Sequence, residues 1–308
     1  MRILRTKTCW GLAAALCGAY ASTGVASPDA DDRAALFAPS LSLNLFPEEP
    51  AGAETSDTAA PAEAGGDAAL ATRLSSPVAS LISVPFQLNF DQDIGPDDEG
   101  ERLQLNFQPV IPFSLSEDWN LISRTITPII YQDDVVPGAG DQFGLGDITQ
   151  SLFFSPKEPT AGGVIWGAGP VFLLPTATDD LLGSEKFGIG PTFVALKQEK
   201  GWTYGALLNH VWSVAGDDDR ADVNSTFIQP FLSYTTPDAW TFALNTETTF
   251  NWETDDWSVP VTLTASKLLR FGDQPVQIGG GVRYWAKSPS GGPEGIAFRL
   301  QMTLLFPQ

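Results

Sequence analysis

The stretch GIAFRLQMTLLF (295–306), close to the end of the chain, decides the fold. Apolar side chains occupy one face of this extended segment: Phe298, Leu300, Met302, Leu304 and Phe306. Small or polar side chains occupy the other face: Ala297, Arg299, Gln301 and Thr303. A period of two with an apolar outer face is typical of a membrane-spanning strand, and a closed barrel of such strands satisfies every backbone hydrogen bond inside a bilayer. The pattern therefore predicts an outer-membrane barrel.

Similar segments precede this one along most of the chain. They cover roughly 82–92, 101–113, 119–132, 146–156, 163–175, 187–198, 202–213, 223–236, 240–251, 257–268 and 275–286. Most reach the about 9 to 11 residues that a tilted membrane strand needs. We therefore predict an all-β fold, a transmembrane antiparallel up-and-down β-barrel of about 12 strands.

The connections between these segments alternate in length. Tight turns follow the even segments, for example 114–118, 199–201 and 237–239. Longer acidic loops follow most odd segments, for example 93–100, 176–186 and 215–222, although 252–256 is short. Short periplasmic turns and longer extracellular loops are typical of outer-membrane barrels, and they disfavour the alternative of a soluble secreted sandwich.

Aromatic residues mark both ends of the predicted strands. Trp119, Trp202 and Trp240 each open a strand directly after a short turn. The opposite ends carry Tyr131, Trp212, Trp257 and Tyr284. Because indole and phenol rings prefer the headgroup level of a membrane, these residues are expected to form an aromatic girdle at each interface.

The N-terminal part of the chain differs in composition from the rest. Positive residues and then an apolar run predict a signal peptide over 1–26, and Cys17 does not fit a lipid-attachment site because Leu16 precedes it. Residues 27–73 are rich in Ala, Pro and acidic residues, so we expect a disordered periplasmic tail there. The barrel domain is assigned to 74–308. The apolar stretch 78–84 fits either the start of the first strand or an element in the periplasmic mouth.

Charge and residue counts exclude several classes of function. A formal net charge of −20 disfavours nucleic-acid binding. Both cysteines, Cys9 and Cys17, lie in the predicted signal peptide, and His210 is the single histidine, so no metal site and no cofactor is predicted. Acidic clusters lie in the loops near 97–99, 217–219 and 255–256. They could bind divalent cations or simply keep the loops solvated, and the second interpretation is favoured.

Strand phase assigns a set of polar side chains to the barrel lumen. These are Gln87, Asn89, Gln104, Asn106, Gln108, Arg124, Asn245, Glu247, Arg283, Arg299 and Gln301. An arginine facing lipid at mid-membrane costs about 2 to 4 kcal/mol, which fixes the phase of the charged strands. Such a lumen either conducts small solutes or forms a hydrogen-bonded filling of a narrow interior.

An outer-membrane enzyme is the alternative class of function. Serine catalysis needs a base within hydrogen-bond reach, and His210 is the only imidazole. Its neighbours on the same strand face, Leu208 and Trp212, carry no hydroxyl, so a hydroxyl would have to come from an adjacent strand. We predict no catalytic residue and no enzyme activity.

Several stretches together resemble a known family. They are SSPVASLISVPFQLNF (75–90), LNFQPVIPF (105–113), DWNLISRTITPII (118–130), GLGDITQSLFFSP (144–156), LLPTATDDLLGSEKFGIGP (173–191) and QPFLSY (229–234). The chain is similar over roughly 74–306 to proteobacterial outer-membrane barrels labelled "transporter" or "neuromedin U", akin to the family named for the MetA pathway of phenol degradation. A terminal Phe, the usual barrel assembly signal, is followed here by Pro307 and Gln308.

The resemblance implies uptake of small, hydrophobic or aromatic compounds and defines no catalytic residues. The expected function is passive or facilitated passage of small molecules across the outer membrane of a Gram-negative bacterium. The alternatives are a non-conducting structural or adhesion barrel and a lipid-modifying enzyme. Expected partners are outer-membrane lipid and lipopolysaccharide, the barrel assembly machinery and a small-molecule solute.

Overall fold

The computed structural model describes residues 61–306 of the chain, which form one helix followed by a closed antiparallel barrel of 12 strands. The helix is α1 (Pro61–Leu74). The first six strands are β1 (Ile82–Ile94), β2 (Gly100–Phe107 and Val110–Ser114), β3 (Trp119–Asp133), β4 (Gln142–Leu145 and Ile148–Pro156), β5 (Val164–Leu174) and β6 (Lys186–Glu199). The others are β7 (Trp202–Gly216), β8 (Asn224–Thr235), β9 (Trp240–Thr246 and Thr248–Asn251), β10 (Asp256–Phe271), β11 (Gln274–Lys287) and β12 (Gly295–Phe306).

Each strand pairs with its sequence neighbours, and β12 closes the barrel on β1. The closing register runs from Ile82 opposite Phe306 to Phe90 opposite Phe298. Large apolar side chains cover the outer surface of the strands; Leu300, for example, is 61% exposed. The predicted up-and-down barrel is confirmed. The prediction succeeds because a period of two places the apolar face of each strand outside and the other face inside.

Three strands are interrupted, and a local cause can be seen at each interruption. β2 breaks next to Pro109, which has no amide hydrogen to donate to the ladder. β9 breaks at Glu247, which lies opposite Pro260 of β10, and the adjacent Thr246 lies opposite Pro230 of β8. β4 breaks at Asp147, whose carboxylate instead accepts hydrogen bonds from the backbone N and the Oγ of Ser184, both at 2.6 Å.

The two ends of the barrel differ in their connections. One end carries 115–118, 157–163, 200–201, 236–239 and 272–273, and we call it the turn end. The other end carries 95–99, 134–141, 175–185, 217–223, 252–255 and 288–294, and we call it the loop end. That the turn end faces the periplasm stays a prediction from the sequence.

Helix α1 corrects part of the prediction for the N-terminal segment. Residues 61–73 were expected to be disordered, but they lie in a helix whose Leu70 and Ala71 are buried. These side chains pack in one apolar cluster with Leu81, Ala239, Leu268 and Leu305. The helix is ordered because the barrel supplies the apolar partners that its own composition lacks. Within the described residues, no helix is long and apolar enough to cross a membrane.

The other predictions for the N-terminal region lie outside the described residues. This holds for the signal peptide over 1–26 and for the tail from 27 to 60, as well as for Pro307 and Gln308 at the other end. The stretch 78–84 was expected to be either the start of the first strand or an element in the mouth of the barrel, and its two parts do one each. Residues 82–84 begin β1, whereas Val78 and Leu81 are buried inside the turn end.

Candidate solute pathway in the barrel interior

The side chains assigned to the lumen from strand phase all lie on the inner side of the barrel. Eight of them line one central cavity: Gln87, Asn106, Gln108, Arg124, Asn245, Glu247, Arg299 and Gln301. The other three contact members of that set. Asn89 accepts a hydrogen bond from Arg299, Arg283 binds Glu247, and Gln104 donates to Asn106. Their role in moving a solute stays a prediction.

Two cavities adjoin inside the barrel. The central cavity has a volume of about 360 Å³, and a second cavity of about 250 Å³ lies toward the turn end, where Leu74, Ser75 and Pro77 line it. Six residues line both cavities, and we call them the junction ring: Gln87, Gln108, Arg124, Gln229, Asn245 and Gln301. Any molecule that moves from one cavity to the other therefore passes these side chains.

The central cavity has a polar side and an apolar side. The amides and charged groups come mainly from β1, β2, β9 and β12. The opposite side carries the apolar lining residues Ile126, Leu173, Val211, Val223 and Phe227, together with Thr149, Ser151, Asn209 and Ser225. The sequence prediction named only polar lumen residues. In β3 both faces carry apolar residues, so alternation alone does not show which isoleucines face inward. The register of β3 and β4 settles this, because Arg124 lies opposite Ser151 and shares its face with Ile122 and Ile126.

An ion network spans the inner face between β9 and β1. Arg299 donates two hydrogen bonds to Glu247, from Nη1 to Oε1 at 2.9 Å and from Nη2 to Oε2 at 2.8 Å. Arg283 donates from Nη2 to Oε2 of the same carboxylate at 2.6 Å. Arg299 Nε also donates to Asn89 Oδ1 at 2.7 Å. Since charged donors surround one carboxylate, the network holds four strands in a fixed arrangement.

Two members of this network were missed from the sequence. Asp91 is buried and lies 3.3 Å from Arg283 Nη1, and its Oδ1 accepts a hydrogen bond from Trp285 Nε1 at 2.9 Å. Asp91 follows Asn89 at an interval of two, so strict alternation would have placed it inside. It was missed because it adjoins the acidic loop residues that follow.

Arg124 differs from the other cavity-lining charges. Its Nη2 donates to Gln108 Oε1 at 3.1 Å, and no carboxylate within residues 61–306 lies within ion-pair distance. Among residues 61–306, Glu247 is the one acidic residue that lines the central cavity, and Arg283 and Arg299 already bind it. The cavity therefore retains one positive charge that no described residue pairs.

The turn end is covered by α1 and the segment 75–81, which we call the N-terminal plug. Val78 enters an apolar cluster of inward side chains: Val110, Ile122, Phe153, Val194, Leu196 and Leu207. Polar contacts anchor the plug to the wall. Arg270 Nη2 lies 2.6 Å from Asp67 Oδ1, and Asn120 Nδ2 donates to Ser80 Oγ at 2.8 Å.

The predicted girdle residues lie on the outer surface near the strand ends. At the turn end, Trp119 is 39% exposed, Trp202 is 44% exposed and Trp240 is 40% exposed. Toward the loop end, Trp212, Trp257 and Tyr284 are exposed and Tyr131 is partly exposed. Their positions suit a membrane interface, and their function as a girdle stays a prediction.

A hydroxyl does lie beside His210, on the adjacent strand β8. His210 Nδ1 is 2.7 Å from Thr226 Oγ1, which also accepts a hydrogen bond from Trp252 Nε1 at 2.8 Å. His210 packs against Trp212 with ring centroids 4.1 Å apart, and its Nε2 is buried without a partner in the described part of the chain. A catalytic imidazole needs a group that orients its second nitrogen, so this arrangement supports an outer-surface polar cluster better than catalysis.

Metal binding finds no support in the described residues. Among residues 61–306, no three His, Cys, Asp or Glu side chains are grouped as metal ligands.

Comparison with known proteins supports the fold. The sequence matches no protein-family model and no curated protein. Among solved structures, it is similar to the COG4313 outer membrane channel from Pseudomonas putida F1, with 14% identity, a TM-score of 0.58, and coverage of 74% of this chain and 96% of that chain. The β domain of the Bordetella autotransporter Brka has 12% identity and a TM-score of 0.43, covering 74% of this chain and 100% of that chain. The chain thus has the fold of an outer-membrane channel barrel.

Proposed function

We propose that this protein is an outer-membrane channel through which small molecules pass by way of the barrel interior. The observation that carries the proposal is the pair of adjoining cavities, of about 360 and 250 Å³, which meet at the junction ring. If a barrel of 12 strands served only as a membrane anchor, packed side chains that filled this space would make it more stable.

The location follows from the outer surface. Exposed apolar side chains cover the outside of the strands, and aromatic rings lie near both strand ends. This distribution is the one that a lipid bilayer stabilises, and the similar channel from Pseudomonas putida F1 is itself described as an outer membrane protein. The turn end then faces the periplasm and the loop end faces the cell exterior.

The expected solutes have an apolar part. One side of the central cavity holds its aliphatic lining residues and Phe227, and these side chains suit contact with a small hydrocarbon or aromatic group. The hydrogen-bonding groups on the opposite side suit a polar substituent. Uptake of small aromatic compounds therefore fits the cavity as well as the family that the sequence resembles.

A non-conducting structural barrel is the second candidate, and the ion network and the N-terminal plug favour it. Interlocked charges between Glu247 and its two arginines fill part of the lumen. The plug covers the turn end, so passage requires the segment 75–81 to move aside. We propose that it does, because Ser75, Ser76 and Pro77 line a cavity and are not part of a packed core.

The experiment is efflux, from proteoliposomes that contain the full chain, of a small polar aromatic solute that protein-free liposomes retain. Ser151→Trp places an indole in the central cavity, whereas Phe154→Trp makes a matched change on the outer face of the same strand. Passage through the interior predicts that the first variant slows efflux and the second leaves it unchanged. Efflux no faster than from empty liposomes, with folded protein, would favour the structural barrel.

A further inference from the structure

We propose that the junction ring is a binding site for a carboxylate and that the preferred solutes are small aromatic or aliphatic acids. This inference rests on the proposed function and specifies the solute class of the same pathway. The ring contains one charged side chain, Arg124, and five amide side chains: Gln87, Gln108, Gln229, Asn245 and Gln301. They come from β1, the interruption of β2, β3, β8, β9 and β12.

The first argument is charge. A guanidinium has five N–H donors, and Gln108 Oε1 accepts from Arg124 Nη2. Around the central cavity, Glu247 is neutralised by Arg299 and Arg283, so Arg124 supplies the residual charge. Inward arginines are the residues that select anions in pores. An anion in the cavity therefore gains an interaction that the protein leaves available.

The second argument is hydrogen-bond geometry. Arginine binds a planar carboxylate through paired N–H donors, and amide NH₂ groups donate to the same oxygens. Gln229, Asn245 and Gln301 carry such an amide and line both cavities, so their side chains border the space that a solute would occupy.

The third argument is the shape of the site. The ring opens into a cavity whose far side carries Ile126, Leu173, Val211 and Phe227. A solute with a carboxylate at Arg124 can therefore place an apolar body against this surface. Benzoate combines both features, benzamide is the neutral analogue of similar shape, and benzylamine carries the opposite charge.

The test is calorimetric titration of the folded full chain in detergent with each of these three probes, because binding can be measured without passage. The variants are Arg124→Gln and, as a matched control, Arg102→Gln. Arg102 is also an inward arginine with an amide partner, since its Nε lies 3.1 Å from Gln132 Oε1, but it lines neither cavity.

The proposal predicts that benzoate binds the unmodified chain and Arg102→Gln with similar affinity, and Arg124→Gln about tenfold more weakly, the loss expected for one charged hydrogen bond. Benzamide and benzylamine should bind more weakly than benzoate and should not respond to Arg124→Gln. Equal benzoate affinity in Arg124→Gln, no preference over benzamide, or no binding at all would overturn the inference.

Efflux measured in parallel separates this inference from the proposed function. If benzoate binds at Arg124 but no probe shows efflux, the proposed carboxylate site is supported and the proposed channel function is overturned. Efflux of all probes without an effect of Arg124→Gln on benzoate would keep the channel and overturn the site.

Discussion

Glu247 and Arg299 are joined by two parallel hydrogen bonds across the inner face of the barrel, at 2.9 and 2.8 Å, although β10 and β11 separate their strands. Both side chains lie on the path that we propose for solutes. The pair thus contributes to the stability of the barrel and to the shape of its central cavity.

Replacing Glu247 should destabilise the barrel. Glu247→Gln leaves Arg283 and Arg299 buried without their shared carboxylate, and breaking such a pair costs about 3 kcal/mol or more. The free energy of unfolding in detergent, followed by tryptophan fluorescence in a denaturant series, measures this loss. Glu253→Gln, in an exposed loop, is the control and should leave stability unchanged. Equal stability of both variants would contradict the role of the network.

Loosening the N-terminal plug should raise passage. Asp67→Asn removes the carboxylate that pairs with Arg270, a contact at the barrel surface worth about 0.2 to 1 kcal/mol. The plug should then be displaced more often, and solute efflux from proteoliposomes should rise while the barrel stays folded. Asp118→Asn, in an exposed turn at the same end, is the control. Slower efflux in Asp67→Asn would argue against the plug as an obstacle.

A stronger disruption of the plug should have a larger effect. Val78→Asp places a carboxylate in the apolar cluster with Ile122 and Phe153, where it has no partner. The segment should leave the turn end, and efflux should exceed that of Asp67→Asn. Ala69→Asp, at an exposed position of the N-terminal plug, should have little effect. Identical efflux for both variants would show that the segment does not limit passage.

The close packing of Gly281 against β10 predicts the effect of a substitution on folding, independently of function. A Cβ at Gly281 would lie 1.9 Å from the backbone oxygen of Leu263, whereas a Cβ at the adjacent Gly280 would have its nearest contacts at 3.1 Å. Gly281→Ala should therefore reduce folding yield and thermal stability far more than Gly280→Ala. Heat-modified mobility on gels measures both variants, and equal behaviour would contradict the packing of β10 on β11.

The sequence predicted the barrel well because its main signal is local. Alternation along each strand is decided by residues two apart, and a charge such as Arg299 fixes the phase of a whole strand. For the same reason, the inner position of the eleven polar lumen residues could be derived without knowing which strands were neighbours.

What the sequence did not predict depends on contacts between distant segments. Helix α1 has few apolar residues, and its order depends on Leu268 and Leu305, about two hundred positions later. Asp91 pairs with Arg283, and no carboxylate of the described residues lies within ion-pair distance of Arg124. Both facts follow from the way the barrel closes. The junction ring likewise joins six strands whose register no local pattern specifies.

The measurement that tests the central claim most directly is current through the full chain in planar bilayers, with a thiol at the junction ring. Gln301→Cys places the thiol on the inner face, and Leu300→Cys places it on the outer face of the same strand, where the side chain is 61% exposed. A bulky, water-soluble thiol reagent should reduce the current of Gln301→Cys and leave that of Leu300→Cys unchanged. An unchanged current in Gln301→Cys, with the thiol shown to be modified, would contradict passage through the ring.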